Sequence, residues 1–187
     1  MKLYMEGSLI HQARRFDVEA LAAIYDQYSP GIYRYAYRLL GDECLAEDCV
    51  AETFARLLRA LQNGGGPRDQ LSAYLYRVAH NWITDQYRRE PPPPLALDEE
   101  AAAEQEGVED AISGKQLGER LRAALVRLTP DQRQVIALKF LDGCENELIA
   151  LAIQKPVGAV KALQHRALGS LRRMLISERE KNDERTG

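Results

Sequence analysis

The side chains whose types and spacing best suit a chemical task are the basic residues near the end of the chain. Between Gln154 and Leu175 the sequence has five lysines and arginines and one histidine, and it has no aspartate or glutamate. A helix with such one-sided charge can approach a polyanion, because each cation can neutralise one phosphate. The candidate phosphate-binding residues are Lys155, Lys161, Arg166, Arg172 and Arg173, with His165 beside them.

Three helices separated by two short breaks are predicted around these residues, from Thr129 to Leu175. The four residues from Thr129 to Gln132 have the pattern of a capping box with proline at the first helical position. Asp142 and Gly143 end that helix, and a short helix and a turn lead into the basic helix. This is the geometry of a helix-turn-helix, whose last helix enters the major groove of DNA. The alternative is a solvated basic face on an ordinary bundle helix.

A second polar and basic face is predicted on a helix near Ser72–Arg89. Arg77, Asn81, Thr84 and Arg88 recur there at spacings of four, three and four, which places them on one side of a helix. Cations and an amide flanked by aromatic side chains can bind unpaired nucleic acid. This helix is therefore a second candidate nucleic-acid surface.

A group of carboxylates on the preceding predicted helix permits an enzymatic alternative, a helical-bundle metal hydrolase. Carboxylates on facing helices can hold divalent metals, but no second helix supplies a matching Glu-x-x-His or a second carboxylate pair. No Gly-rich phosphate loop and no Ser/His/Asp or Cys/His arrangement is present either. We therefore expect no catalytic residue, no metal and no cofactor. The carboxylates are Glu43, Glu47, Asp48 and Glu52, and the scattered histidines are His11, His80 and His165.

Composition favours an all-α protein. The chain has 187 residues, of which 45% are hydrophobic and 7% aromatic, and its formal net charge is -3. That charge hides an uneven distribution, because residues 91–118 hold seven acidic side chains and one basic side chain. The whole-chain charge is therefore a poor guide to nucleic-acid binding.

Cysteine usage and hydropathy bear on the compartment. The three cysteines are an odd number without a C-x-x-C pair, which indicates reduced thiols. No secretory core and no run of about 20 apolar residues is present. We expect a cytoplasmic protein without a membrane segment.

The predicted organisation is two small helical domains joined by an acidic flexible linker, the second with a helix-turn-helix. Within the first domain, residues 29–31 (Ser-Pro-Gly) are predicted to separate two helices. Four prolines at 91–94 forbid helix, and the acidic residues after them cannot bury enough apolar surface to order themselves. The predicted segments are a first domain at 1–90, a linker at 91–116, a second domain at 117–176 and a charged tail at 177–187.

Three motifs in order carry a family resemblance. They are AEDCVAETF at 46–54, YLYRVAHNWITDQYRR at 74–89, and VGAVK at 157–161 followed by HRA at 165–167. Together they resemble the extracytoplasmic-function class of bacterial sigma factors, from about Phe16 to Leu175. The resemblance implies a non-enzymatic subunit that binds core RNA polymerase and promoter DNA and starts transcription.

The resemblance also assigns tasks to the three helices. The first motif would dock on the polymerase clamp helices, the second would bind the non-template strand of the minus-ten element, and the last helix would read the minus-thirty-five element. An anti-sigma protein is a further partner that the resemblance leaves open. The polymerase candidates are Glu47, Asp48 and Glu52; the minus-ten candidates are Arg77, His80, Asn81, Arg88 and Arg89; the minus-thirty-five candidates are Lys155, Gly158, Lys161, Ala162, Gln164, His165, Arg166, Arg172 and Arg173.

Some positions depart from the family pattern and keep rival functions open. Gln154 stands where glycine is usual in the turn, Pro156 replaces a small hydroxyl residue, and residues 162–164 (Ala-Leu-Gln) replace Ser-Arg-Leu. A stand-alone helix-turn-helix regulator is one rival, but it would leave Asp48 and Asn81 without a task. A degenerate sigma-like protein that no longer initiates transcription is another.

Overall fold

The computed structural model describes residues 2–90 and 109–183, and every regular element in these ranges is helical. The all-α prediction is confirmed. The four prolines and most of the predicted linker lie outside the described residues. The helices are α1 (Lys2–Ala13), α2 (Val18–Leu40), α3 (Glu43–Gln62), α4 (Leu71–Arg89), α5 (Glu109–Val126), α6 (Pro130–Ile136), α7 (Asn146–Ile153) and α8 (Val157–Asp183), with a π-helical segment, Ala137–Leu141, directly after α6.

The predicted break at residues 29–31 is wrong, because α2 runs unbroken through Pro30. Proline inside a helix removes one hydrogen bond and costs about 3 kcal/mol. Here the buried face is continuous on both sides of it, since Ile24, Ile32 and Tyr35 are each no more than 1% exposed. Burial of each such side chain contributes about 1.5–3 kcal/mol, and together these residues offset the cost of the proline.

Side-chain caps fix where several helices begin. Asp17 is the N-cap of α2 and accepts a hydrogen bond from the backbone N–H of Ala20 at 2.9 Å. The predicted capping box between Thr129 and Gln132 is also confirmed, with both reciprocal hydrogen bonds present. The local sequence therefore determines these two helix starts without help from tertiary packing.

Two helices extend past the boundaries expected from composition. Helix α5 begins at Glu109, inside the segment predicted as linker, and α8 continues to Asp183, inside the segment predicted as tail. Helical propensity explains both extensions, because alanine, glutamate, lysine and arginine are good helix formers.

The two halves of the chain, residues 2–90 and 109–183, share one hydrophobic core. Buried residues of α4, such as Leu75 and Ile83, belong to the same continuous cluster as Leu125 of α5, Leu138 of the π-helical segment and Ile149 of α7. Helix α4 packs on α7, and α2 packs on α5 and on the π-helical segment. The candidate strand-binding helix therefore lies against the helix-turn-helix half. None of the described helices is both long and apolar enough to cross a membrane.

Candidate nucleic-acid interface

Helix α8 presents its cations to solvent because its opposite side is anchored in the core. Its residues Val160, Leu163, Ala167 and Leu171 are buried against α6 and α7 at helical spacing. The side chains exposed on the other faces include those of Lys161, Ala162, His165, Arg166, Arg172 and Arg173. A rigid helix that holds an acid-free row of cations in water can follow the phosphates of a duplex.

The turn before α8 has the shape that the sequence pattern requires. Gln154 ends α7 with φ 55° and ψ 44°, in the left-handed region where glycine is usual. Lys155 follows and pairs with Asp131 at 3.3 Å. Gly158 lies in the first turn of α8, and nothing lies within 4 Å of the place where a Cβ would be. The first turn of α8 is therefore open to a ligand.

Gln164 is the candidate of α8 that faces its neighbour rather than solvent. Its Nε2 donates a hydrogen bond to Oδ1 of Asn146 at 2.9 Å, while the adjacent Leu163 is buried. Of these two residues, Leu163 enters the core and Gln164 does not. Gln164 connects α8 to the start of α7, and the exposed face of α8 around Lys161 consists of Ala162 and His165 instead.

Helix α4 presents the second set of candidates. Asn81 is exposed, and the guanidinium of Arg77 lies 5.3 Å from the ring centroid of Tyr74. Arg88 is exposed and pairs with Asp85 at 3.5 Å, and Arg89 is exposed at the end of the helix. The amide, the cations and the aromatic ring predicted to share this helix are therefore present in the folded protein, as a strand-binding face needs.

His80 is buried, which the sequence did not predict. Its Nε2 lies 3.0 Å from the carbonyl oxygen of Pro130, and its Nδ1 lies 2.7 Å from the hydroxyl of Tyr35. A carbonyl can only accept, so Nε2 carries the proton and Nδ1 accepts from Tyr35. Burial, with the nearby Arg133 guanidinium, lowers the pKa of His80 to about 3. His80 is therefore a neutral bridge between α2, α4 and α6, and it is not exposed to DNA in this conformation.

The carboxylates of α3 divide into free and paired groups. Glu47 and Asp48 are exposed, whereas Glu52 forms salt bridges with Arg56 at 2.8 Å and with Arg59 at 2.9 Å. The hydrogen bond from Arg56 is the main cause that lowers the pKa of Glu52. Within the described residues, no three histidines, cysteines, aspartates or glutamates lie close enough together to hold a metal ion.

The two helical halves match two known regions of one protein family. Residues 24–91 match the family model described as Sigma-70 region 2, and residues 118–171 match the model described as Sigma-70, region 4. The chain is 33% identical to the ECF RNA polymerase sigma factor SigW of Bacillus subtilis over 178 residues, which are 89% of this chain and 94% of SigW. It is also 33% identical to BldN of Streptomyces coelicolor over 172 residues, which are 89% of this chain and 64% of BldN. The chain belongs to the extracytoplasmic-function (ECF) sigma factors.

Solved structures share the fold of this ECF sigma factor. One is CnrH in complex with the cytosolic domain of CnrY, with a TM-score of 0.68 and 21% identity; the match covers 92% of this chain and 97% of the solved one. Another is the sigma factor RpoE in complex with the anti-sigma factor NepR from Bartonella quintana, with a TM-score of 0.52 and 21% identity; it covers 80% of this chain and 92% of the solved one. Members of the family are DNA-binding transcription initiation factors.

The contacts between the two halves of this ECF sigma factor were not predicted from its sequence. Arg133 of α6 is only 4% exposed, and its guanidinium lies 4.5 Å from the ring centroid of Tyr87 in α4. Asp142 pairs with Arg38 of α2 at 2.8 Å. The one available signal was that Arg133 stands two residues before the apolar run at 135–138, within one helical turn of it. A cation in such a position needs a partner from another element.

Proposed function

We propose that this sigma factor directs core RNA polymerase to specific promoters, with α4 and α8 binding different parts of the promoter. The observation that carries this proposal is the presence, on one sigma-70 chain, of two nucleic-acid faces of different chemistry. One face, on α4, combines an amide, cations and an aromatic ring; the other, on α8, is a row of cations on a helix-turn-helix. The first suits an unpaired strand and the second suits a duplex.

Helix α8 is proposed to bind the duplex of the minus-thirty-five element. Phosphate contacts would come from the exposed cations Lys161, Arg166, Arg172 and Arg173. Lys155 can join them, because its partner Asp131 is a half-exposed carboxylate that a phosphate could replace. Base contacts would come from the first turns around Gly158, where Ala162 offers a methyl group and His165 a polar ring. Because Gln164 is engaged with Asn146, we propose that it positions α8 and does not read bases.

Helix α4 is proposed to bind the non-template strand of the minus-ten element through Arg77, Asn81, Arg88 and Arg89. Base stacking and cation contacts on such a surface contribute about 1–3 kcal/mol per base. His80 is better placed to hold α4 against its neighbours, because both of its ring nitrogens already have partners inside the protein.

Helix α3 is proposed to contact the polymerase. Glu47 and Asp48 are free to meet a basic partner, and Glu52 presents a carboxylate already flanked by two arginines. This acidic face is what a stand-alone helix-turn-helix regulator would leave without a task. We also propose that the protein acts in the cytoplasm without catalytic residues or a cofactor, and that an anti-sigma protein is a further partner, as its family membership leads us to expect. The separation into domains at 1–90 and 117–176 is part of the same proposal.

The test is transcription with core polymerase on a fragmented genomic promoter library, with every start site mapped by sequencing the transcripts. We expect specific starts with the wild-type chain. Arg77→Ala/Asn81→Ala should lower their yield about tenfold, because the strand loses an amide and a cation, while polymerase binding stays intact. Lys161→Ala should weaken all promoters together and reduce the salt dependence of binding by about one phosphate contact.

Arg68→Ala serves as the matched control, since Arg68 is exposed in the loop before α4 and on neither proposed face. It should leave the start sites and their yield unchanged. Failure of the wild-type chain to bind core polymerase, together with a lack of specific starts, would overturn the proposal. Tight duplex binding by the free protein without polymerase binding would favour the stand-alone regulator.

A further inference from the structure

A cleft between α4 and the helix-turn-helix half has two compartments of different chemistry. One compartment, of about 890 Å³, is lined mainly by apolar groups, and the other, of about 500 Å³, is lined mainly by charged and amide groups. Arg77 and Gln154 line both compartments, which therefore adjoin. Each volume lies in the range of about 300–1,000 Å³ that is usual for small-molecule sites.

The polar compartment has one cation whose charge is not balanced. Arg56 pairs with Glu52 at 2.8 Å, and the two aspartates of this compartment pair with cations at 3.5 Å and 3.3 Å. Arg77 is half-buried and has no ion pair among the described residues, and its guanidinium lies over the ring of Tyr74. A half-buried cation without a counter-charge favours an anionic ligand. The charged side chains that line this compartment are Arg56, Arg77, Asp85, Arg88 and Asp131.

Two neutral polar groups in the same compartment lack hydrogen-bond partners among the described residues. Gln134 of α6 is only 4% exposed, and its Nε2 is buried without an acceptor. The buried hydroxyl of Thr84 in α4 has no partner either. An unpaired buried donor destabilises a protein, and a ligand with acceptor oxygens would remove that cost. Both residues line the compartment that contains Arg77, so their donors and this cation can serve one anion.

The apolar compartment suits a planar ring. Side chains from both halves of the chain form it, and Leu151 is 45% exposed there. A heterocyclic base can pack against such apolar and aromatic side chains, because every base has an apolar face. The lining residues that give the compartment this character are Pro67, Ala73, Tyr74, Ala150, Leu151 and Val157.

Backbone strain also occurs at the apolar compartment. Gln70 and Gln154 have φ angles of 52° and 55°, in the left-handed region that favours glycine, and both residues line this compartment. Among the described residues, Phe16 is the other non-glycine residue with positive φ. Strained backbone conformations are concentrated at sites that clamp ligands. The strain therefore supports a binding role for the cleft on grounds separate from its charge.

We propose that this cleft binds a free nucleotide that carries two or more phosphates. The base occupies the apolar compartment, and the phosphates lie beside Arg77 in the polar one, where Gln134 and Thr84 donate to their oxygens. Three arginines and two neutral donors are more than the three terminal oxygens of a single phosphate group need. The site is distinct from the promoter-binding role proposed for α4, but it shares Arg77 and Asn81 with that face, so the nucleotide and a single strand should compete.

The test is binding of fluorescent methylanthraniloyl derivatives of ADP and GDP to the full chain at low salt, followed by fluorescence anisotropy. We expect saturable binding of one nucleotide per chain. Unlabelled ADP or GDP should displace the probe at least about tenfold more effectively than pyrophosphate, because pyrophosphate has no base to pack in the apolar compartment.

Two variants locate the site. Gln134→Leu removes the unpaired amide and should weaken nucleotide binding at least about tenfold, as loss of a hydrogen bond to a charged group does. Its melting temperature should not fall, because an apolar side chain of similar size replaces a buried donor that has no partner in the protein. Arg77→Glu puts a carboxylate beside the phosphates and should abolish binding.

Each variant has a matched control. Thr53→Val removes a buried hydroxyl from the core of the first half, and Thr53 lines neither compartment. Arg15→Glu, in the exposed turn after α1, makes the same charge change as Arg77→Glu but away from the cleft. Both controls should bind the nucleotide as the wild type does.

Competition with a twelve-nucleotide oligo(dT) separates a free nucleotide from a nucleotide of the promoter strand. Mutual displacement, with Gln134→Leu weakening only the free nucleotide, supports the inference. Binding of oligo(dT) without binding of either free nucleotide would overturn it and leave the proposed role of α4 intact. Equal displacement by pyrophosphate and ADP would overturn the position of the base, and unchanged nucleotide binding in Gln134→Leu and Arg77→Glu would overturn the site.

Discussion

His80 shows how one buried side chain can link protonation to the arrangement of the two halves. It is neutral because burial disfavours its charged form and because Arg133 stands nearby, which lowers its pKa to about 3. The groups that face it are the hydroxyl of Tyr35 from α2 and the carbonyl oxygen of Pro130 from α6. If α6 moves away, one side of the ring reaches water and its pKa should rise toward the ordinary value of 6.5.

Acidification should therefore favour separation of the two halves of the chain. The pKa of His80 is depressed while α6 packs against it. Neutral His80 therefore stabilises the contact between the two halves fully above pH 6.5, and this stabilisation is lost as the pH falls from 6.5 toward 3. Each unit by which the pH falls in that window favours separation of the halves by up to about 1.4 kcal/mol, a tenfold change in the equilibrium constant. X-ray scattering between pH 8 and 5 should show the radius of gyration rising in wild type.

The control for this prediction is His80→Gln, which retains a donor for Pro130 and an acceptor for Tyr35 but does not titrate between pH 8 and 5. Its radius of gyration should not respond to pH in this range. Protonation of Asp142 has the opposite effect on the contact between the halves. Burial raises the pKa of Asp142 where the halves meet, so its protonated form favours that contact. A radius of gyration that falls or stays constant in wild type from pH 7 to 5 would contradict the role given to His80.

At the scale of the helices, local signals predicted starts and faces well but failed where tertiary packing decides. The capping box at Thr129 and the order of helices in the helix-turn-helix were predicted, since both follow from short-range spacing. The continuity of α2 through Pro30 was missed, because only the shared core shows that burial on both sides offsets the proline. The burial of His80 was missed for the same reason, since its covering residue, Pro130, lies 50 positions away in the chain.

The turn between α7 and α8 carries measurable strain at Gln154. A residue with a Cβ pays roughly 1–2 kcal/mol to occupy the left-handed region, whereas glycine does not. Gln154→Gly should therefore stabilise the protein by about 0.5–1 kcal/mol after allowing for the greater freedom of unfolded glycine. The melting temperature, followed by circular dichroism, should rise by about 1–4 °C.

Gln154→Ala is the matched control, because alanine also lacks the side-chain amide but has a Cβ that keeps the strain. It should not raise the melting temperature. A rise of equal size in both variants would place the effect in the lost amide and not in the backbone, and a fall in Gln154→Gly would show that strain is absent.

For the molecule as a whole, the shared core explains how two small units can be stable together. Each half has fewer than 100 residues and can build only a modest core alone. Leu75, Ile83 and Leu138 lie in one continuous core. Among the described residues, polar side-chain atoms of Arg133 and Asp142 are also buried there.

The shared core predicts how the chain unfolds. While the halves are docked they should unfold as one unit, so scanning calorimetry of the wild type should show a single transition whose calorimetric and van't Hoff enthalpies agree. Arg38→Glu removes the pair with Asp142 and separates the halves, so the same scan should show two transitions, each with a smaller enthalpy. Arg15→Glu should keep the single transition. Two transitions in the wild type would mean that the shared core does not couple the halves, and one unchanged transition in Arg38→Glu would mean that this ion pair does not hold them together.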